Sequence, residues 1–321
     1  NRDGHTPGYG DDRFTAEAKQ RIAELLETDC DVHFVFNGTA ANSLALAAMC
    51  RPHHAVVCAP MAHIATDECG APGFFTGGTT VLVSRAESAA SRLGKLEASA
   101  VDDLIRSRDD VHAPKPRAIS ITQATELGTV YTLDEIRGLS QLARQHRMHL
   151  HMDGARFANA VVSLGVSPAD MTWRAGVDVL CLGGTKNGLA IGEAVVFFDK
   201  ALADEFAFRV KQSGQLASKM RLLTAPWLGL LRDRVWAANA AHANAMAERL
   251  WQAVTRIPHA EMLAPRQANA VFARLPRPVI DRLFAAGYRF YEFLPNGGCR
   301  FMCAWDTTEA SVDEFAAAIA G

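Results

Sequence analysis

Over roughly 200 of the chain's 321 residues, short apolar runs alternate with stretches of helical spacing, a rhythm that gives a mainly parallel sheet with helices on both faces. The strands are predicted at 32–36, 55–59, 79–84, 118–122, 148–152, 177–182 and 194–198. Helices are predicted at 15–27, 40–49, 133–146, 157–164 and 201–209, where apolar residues recur three and four apart. The expected fold class is α/β, a mainly parallel mixed sheet, with a smaller α+β domain at the C-terminal end. There the texture changes to an alanine-rich helix over 234–254, then strand, helix, strand and helix at 270–275, 278–286, 299–304 and 311–319. This divides the chain into an irregular arm at 1–13, a large domain at 14–231 with a connection over 211–231, and a small domain at 232–321.

Composition narrows the class of protein. A formal net charge of −2 carries no electrostatic footprint for nucleic acid. No apolar run reaches the roughly 20 residues of a membrane helix. Seven scattered cysteines, without a C-x-x-C pair, fit free thiols in a reducing cytoplasm. The expected partner is a small molecule, with no nucleic acid or membrane.

The chemistry-bearing residues cluster just after predicted strands, at the edge where open α/β sheets bind ligands. The run Val177–Leu182 leads into Gly183-Gly184-Thr185 and then Lys186. A lysine held there among small residues is shifted by burial toward the neutral amine, which attacks carbonyls. Asp153 ends another strand, where a carboxylate can keep a ring nitrogen protonated and make an aromatic cofactor an electron sink; Arg156 lies one helical turn on. Asn37-Gly38-Thr39-Ala40 opens a helix whose N–H groups suit a phosphate, or serves as a plain cap. His63 follows the 55–59 strand and could stack on a ring or be structural. Glu126 follows the 118–122 strand, as a site carboxylate or a turn residue. Arg221 and Arg300 are candidate anion clamps. A rival reading takes His149, His151 and Asp153, alternating on one strand face, as a metallohydrolase's ligands; its ligand grammar is incomplete, so no metal is expected.

Together these stretches resemble the L-threonine aldolase family of pyridoxal-phosphate enzymes with the aspartate-aminotransferase fold. The matching segments are YGDD at Tyr9–Asp12, NGTAAN at Asn37–Asn42, AHI around His63, HMDGAR at His151–Arg156, GGTKNG at Gly183–Gly188 and GGCRFMCAWD at Gly297–Asp306. The resemblance implies pyridoxal 5'-phosphate held covalently by Lys186, with Thr185 beside it. It implies Asp153 on the pyridine nitrogen, Arg156 on the phenolic oxygen, Gly38, Thr39 and Ala40 on the phosphate, and His63 stacked on the ring. Arg300 would bind the substrate carboxylate. Tyr9 and Arg221 would reach a neighbouring subunit's site, in a dimer at least and usually a tetramer. The implied reaction is retro-aldol cleavage of L-threonine, L-allo-threonine and related β-hydroxy-α-amino acids to glycine and an aldehyde. The runner-up is β-elimination or transamination on the same cofactor. The family often has histidine where this chain has Glu126, so the base for the substrate hydroxyl is Glu126, His63 or a water. Glu126, beside a pyridinium and a substrate ammonium, is expected to be ionised.

Overall fold

The computed structural model describes residues 4–108 and 110–321; the first three residues of the predicted arm lie outside them. The strands of the larger sheet are β1 (Asp31–Val35), β2 (His54–Cys58), β3 (Thr80–Val83), β4 (Lys115–Thr122), β5 (His149–Gly154), β6 (Val179–Gly183) and β7 (Glu193–Phe197). Their order across the sheet is β1-β7-β6-β5-β4-β2-β3. Neighbours from β6 to β3 pair in parallel, whereas β7 is antiparallel to both β1 and β6. Six strands therefore end at one edge of the sheet, and β7 brings its first residue to that edge.

Both faces of the sheet are buried, which is why its strands read as near-continuous apolar runs. Successive side chains still alternate between faces. Leu180 and Leu182 enter one core with Ile119, Ile121, Leu150 and Met152. Val179 and Cys181 enter the other with Val56, Ala118 and Val195. The helix Gly38–Met49 lies on the second face, and its alanines allow close approach to the strands. The helix Leu133–Gln145 starts at a capping box in which Thr132 and Glu135 satisfy each other's backbone amides.

A second, antiparallel sheet has the order β10-β11-β9-β8. Its strands are β8 (Glu261–Met262), β9 (Ala270–Arg274), β10 (Tyr291–Leu294) and β11 (Gly298–Met302). The helices Val235–Thr255, Arg277–Ala285 and Glu309–Ala320 accompany it. No helix among the described residues is long and apolar enough to cross a membrane.

Three expectations need correction. The helix predicted at 201–209 is a 3₁₀ turn, Lys200–Ala203, followed by a separate helix, Phe206–Gln212. Glu205, with φ of 58°, breaks the run between them. The connection expected over 211–231 contains the helix Arg221–Leu231. Pro226 disguises it in the sequence, but Leu223, Thr224, Trp227 and Leu230 give it a buried face, and packing overrides the local penalty. Strands β8 and β10 escaped notice because both are short sheet edges with partly exposed side chains.

Candidate active site

The sheet edge that collects the strand ends carries a cavity of ≈ 520 Å³, lined by Gly38, His63, Glu126, Asp153, Lys186 and Arg300 among others. Five of these follow directly from topology. Gly38 comes after β1, His63 after β2, Glu126 after β4, Asp153 at the end of β5 and Lys186 after β6. Arg300 is different, since it belongs to β11 of the second sheet.

Asp153 is buried, and both its oxygens are oriented. Oδ1 accepts the amide of Ala155 at 2.9 Å, and Oδ2 accepts Asn42 Nδ2 at 2.8 Å. Lys186 lies in the 3₁₀ turn Thr185–Asn187. Loss of hydration first, and the Arg156 guanidinium second, lower its pKa, the direction a nucleophilic amine needs. Glu193, the first residue of β7, anchors the turn. Its Oε2 accepts the Gly184 amide at 2.7 Å, and its carboxylate bonds the Thr185 side chain.

Two glycines let the chain reach this turn. A Cβ on Gly183 would stand 2.6 Å from the carbonyl oxygen of Ala155, and one on Gly184 would stand 2.6 Å from that of Gly192. Both obstacles are backbone, so neither can swing away. Gly183→Ala is expected to cost about 1–3 kcal/mol by overpacking, lowering the thermal midpoint and displacing Lys186 from the cavity. An unchanged melting curve would contradict the close approach.

Glu126 holds one oxygen in place and leaves the other free. Oε1 accepts the backbone amide of His63 at 2.9 Å and the Thr122 hydroxyl at 2.8 Å. Oε2 is buried without a protein partner. Burial first, and the neighbouring Asp153 charge second, push its pKa from the ordinary 4.5 up to about 7. That upward shift belongs to the protein alone; the ionised form is expected beside a pyridinium and a substrate ammonium. Any bias to the carboxylate must come from cationic groups of cofactor and substrate.

Arg300 also has a buried, unpartnered atom, Nε. Its guanidinium lies 4.3 Å from the Phe293 ring centre and 5.2 Å from that of Tyr291, so cation–π contacts bracket it from β10. Arg156 lines the cavity, its Nη2 3.9 Å from Met302 Sδ. Burial brings its pKa down to about 10, with Arg300 as the next contributor.

The helix Gly38–Met49 points its N-terminus at the cavity through Gly38. The amide of Ala40 is already bonded to the Asn37 side chain at 2.9 Å. The Gly38 and Thr39 amides precede it at the helix end. Tyr9 and Arg221 are not among the residues lining their own chain's cavity. Tyr9 is 53% exposed, packs against the Lys211 ammonium and donates its amide to the Ser218 carbonyl.

The metal-ligand reading of the β5 histidines fails on geometry. Both ring nitrogens of His151 are engaged, Nδ1 with the Ser120 hydroxyl at 2.9 Å and Nε2 with Cys181 Sγ at 3.2 Å. Its ring is fully buried and its pKa falls to about 4 for that reason.

Comparison with known proteins now decides the family. Residues 2–276 match the family model described as beta-eliminating lyase. The low specificity L-threonine aldolase of a Pseudomonas species is 52% identical over 98% of this chain and 90% of its own length. The chain belongs to the L-threonine aldolase family. The low specificity L-threonine aldolase of Pseudomonas aeruginosa is likewise 52% identical, over 98% of the chain and 89% of the relative. Among solved structures, Leishmania major threonine aldolase superposes with a TM-score of 0.91 at 30% identity, covering 99% of this chain and 92% of that one.

The cofactor of this L-threonine aldolase family member is pyridoxal phosphate, and the cavity fits it on its own terms. A lysine of lowered pKa faces an oriented carboxylate, a helix N-terminus stands by for a phosphate, and three buried polar atoms of lining residues, Asn42 Oδ1, Glu126 Oε2 and Arg300 Nε, lack protein partners. The sequence reading missed Glu68, Asn42, Glu193, Tyr291 and Phe293. Glu193 left one trace, an acidic residue at the head of the apolar run Glu193–Phe197.

Proposed function

We propose that this chain cleaves L-threonine, L-allo-threonine and related β-hydroxy-α-amino acids, phenylserine among them, to glycine and an aldehyde by retro-aldol reaction. The observation that carries the reading is the convergence of Lys186, Asp153, Glu126 and Arg300 on one cavity. When bound, pyridoxal phosphate supplies an electron sink for the pair released as the Cα–Cβ bond breaks. Lys186, its amine shifted toward the neutral form by burial, would hold the cofactor covalently. Asp153, oriented by Asn42 and Ala155, would keep a proton on the pyridine nitrogen. Arg156 would serve the phenolic oxygen, Gly38, Thr39 and Ala40 at the helix N-terminus would hold the phosphate, and the His63 ring would stack on the cofactor. Arg300 clamps the substrate carboxylate between its two aromatic neighbours. The free Oε2 of Glu126, or His63, takes the β-hydroxyl proton, the aldehyde departs, and Cα is reprotonated to give glycine.

The purified protein, supplied with cofactor and threonine, is expected to form glycine and acetaldehyde in equal amounts. A keto acid in place of glycine would move the reading to β-elimination or transamination.

The same reading takes the enzyme as a cytoplasmic homotetramer, a dimer of dimers with shared sites, divided into arm, large domain and small domain at 13/14 and 231/232. Support comes from Tyr9 and Arg221, which the family places at a partner's site and which here line no part of their own cavity. Seven free cysteines support the reducing compartment. Mixing Arg221→Ala with Lys186→Ala protein tests the sharing. In a mixed pair one site keeps both residues, so activity is expected to return to roughly a quarter of the parent by simple statistics. No recovery after subunit exchange would place Arg221 outside the partner's site.

A further inference from the structure

Behind His63 stands a carboxylate that the proposed reaction does not use. The Glu68 side chain is completely buried. Its Oε1 lies 2.9 Å from His63 Nδ1 and accepts Asn42 Nδ2 at 2.8 Å. The same Nδ2 donates to Asp153 Oδ2 at 2.8 Å. One amide group thus gives a hydrogen to each of two carboxylates, which fixes its orientation, because the amide oxygen in that place would meet two acceptors. Glu68 Oε2 is buried without a partner.

We propose that Glu68 is a positioning residue: it decides which nitrogen of His63 faces the cavity, and through Asn42 it ties that ring to Asp153. A carboxylate only accepts, so Nδ1 of His63 must carry hydrogen. In the neutral ring Nε2 is then the bare acceptor, and any proton the ring takes up arrives there. An aspartate orienting a catalytic histidine from behind follows the same logic. A glutamine could accept both hydrogen bonds equally well. What the carboxylate adds is charge, which favours the protonated imidazole; burial pushes Glu68's own pKa up, and the bonds from His63 and Asn42 oppose that shift.

The charged groups facing the ring act in both directions. Glu68 stands at Nδ1, Asp67 Oδ2 lies 3.5 Å from Nε2 at the exposed rim, and Asp153 is nearby. These favour the cation, whereas Lys186 across the cavity and partial burial oppose it. Glu126 meets only the backbone amide of His63. The net direction is upward, with the Glu68 bond as the leading cause.

The proposal rests on the function given above for the importance of His63, but its first test does not need turnover. Nitrogen-15 spectra of histidine-labelled protein without cofactor report the hydrogen position and titration midpoint of His63. Hydrogen on Nδ1 is expected, with a midpoint above that of free histidine. Glu68→Gln should keep the Nδ1 hydrogen and lower the midpoint by about one unit or more. Hydrogen on Nε2 in the parent protein, or an unmoved midpoint in the variant, overturns the proposal. The parent measurement stands even if the variant fails to fold.

With cofactor and threonine, Glu68→Gln should lower kcat by about 10–100-fold, the usual effect of losing an orienting partner. The acid limb of its pH profile should move with the His63 midpoint. In a His63→Asn background the same change should add nothing, and a further full loss there would mean that Glu68 acts elsewhere. A protein that cleaves no β-hydroxy amino acid would sink the proposed function and leave the histidine spectra as the judge of Glu68.

Discussion

Lys186→Ala is expected to stop turnover, with glycine release from threonine down by about 10³-fold or more, the scale on which an attacking group that works as part of a unit is lost. The fold should survive. Lys186 lies beyond the end of β6 in a short turn, and its side chain opens into the cavity instead of filling a core. The turn itself is held by Glu193, Gly183 and Gly184, which the substitution leaves untouched. Borohydride should no longer fix the cofactor to the protein, while the melting curve stays close to the parent's. Multiple turnovers in the variant would mean that another lysine carries the chemistry, and Lys211 and Lys219 would be the next to replace.

Glu126→Gln should lower kcat by roughly 10²–10⁴, the range for removing a positioned acid–base group, with cofactor binding retained. Glutamine preserves the size of the side chain and can still accept the His63 amide and the Thr122 hydroxyl. What disappears is the basicity of the free oxygen. A near-parental rate in Glu126→Gln, with a large loss in His63→Asn, would assign the base to His63.

The same residue leaves a signature on stability. Its folded pKa of about 7 lies above the unfolded value near 4.5, so between those limits the folded state binds more protons than the unfolded one. Stability of the cofactor-free protein should therefore fall as pH rises through that window and level off above it. Glu126→Gln should flatten this slope. Denaturant titrations at pH 5 and pH 8 measure it, and an identical pH dependence in parent and variant would contradict the buried, unpaired carboxylate.

The strand ends were legible because each carries its own signal. Val177–Leu182 reads as a buried strand, and the Gly-Gly-Thr-Lys that follows cannot continue it. His63, Glu126, Asp153 and Lys186 were all placed after strands, and the parallel pairing of β2, β4, β5 and β6 then puts them at one edge. The strand order was not legible, since periodicity says nothing about which strands become neighbours. Nor was the role of Glu193, whose carboxylate meets Gly184 only because β7 runs against β6. Glu68 and Asn42 look like ordinary polar residues of helices and turns. The bonds of Asn42 join positions 26 and 111 residues apart in the chain, and no local pattern announces such contacts, whereas Glu68 meets His63 only five residues away. Residues 211–231 read as a connection, yet burial sustains a helix over Arg221–Leu231 with Pro226 inside it.

Arg300 sits on β11, and the rings that bracket it sit on β10, the outermost strand of the smaller sheet. The groups assigned to the cofactor, from Gly38 to Lys186, lie at or just beyond strand ends of the other sheet. β10 pairs only with β11, so changes at Tyr291 or Phe293 break no strand pairing of the seven-stranded sheet, though Phe293 also packs in a cluster with Met61 and Leu127. On the role proposed for Arg300, substitutions on that strand are expected to change substrate preference more than cofactor binding, and a laboratory search for altered selectivity has its natural starting library there.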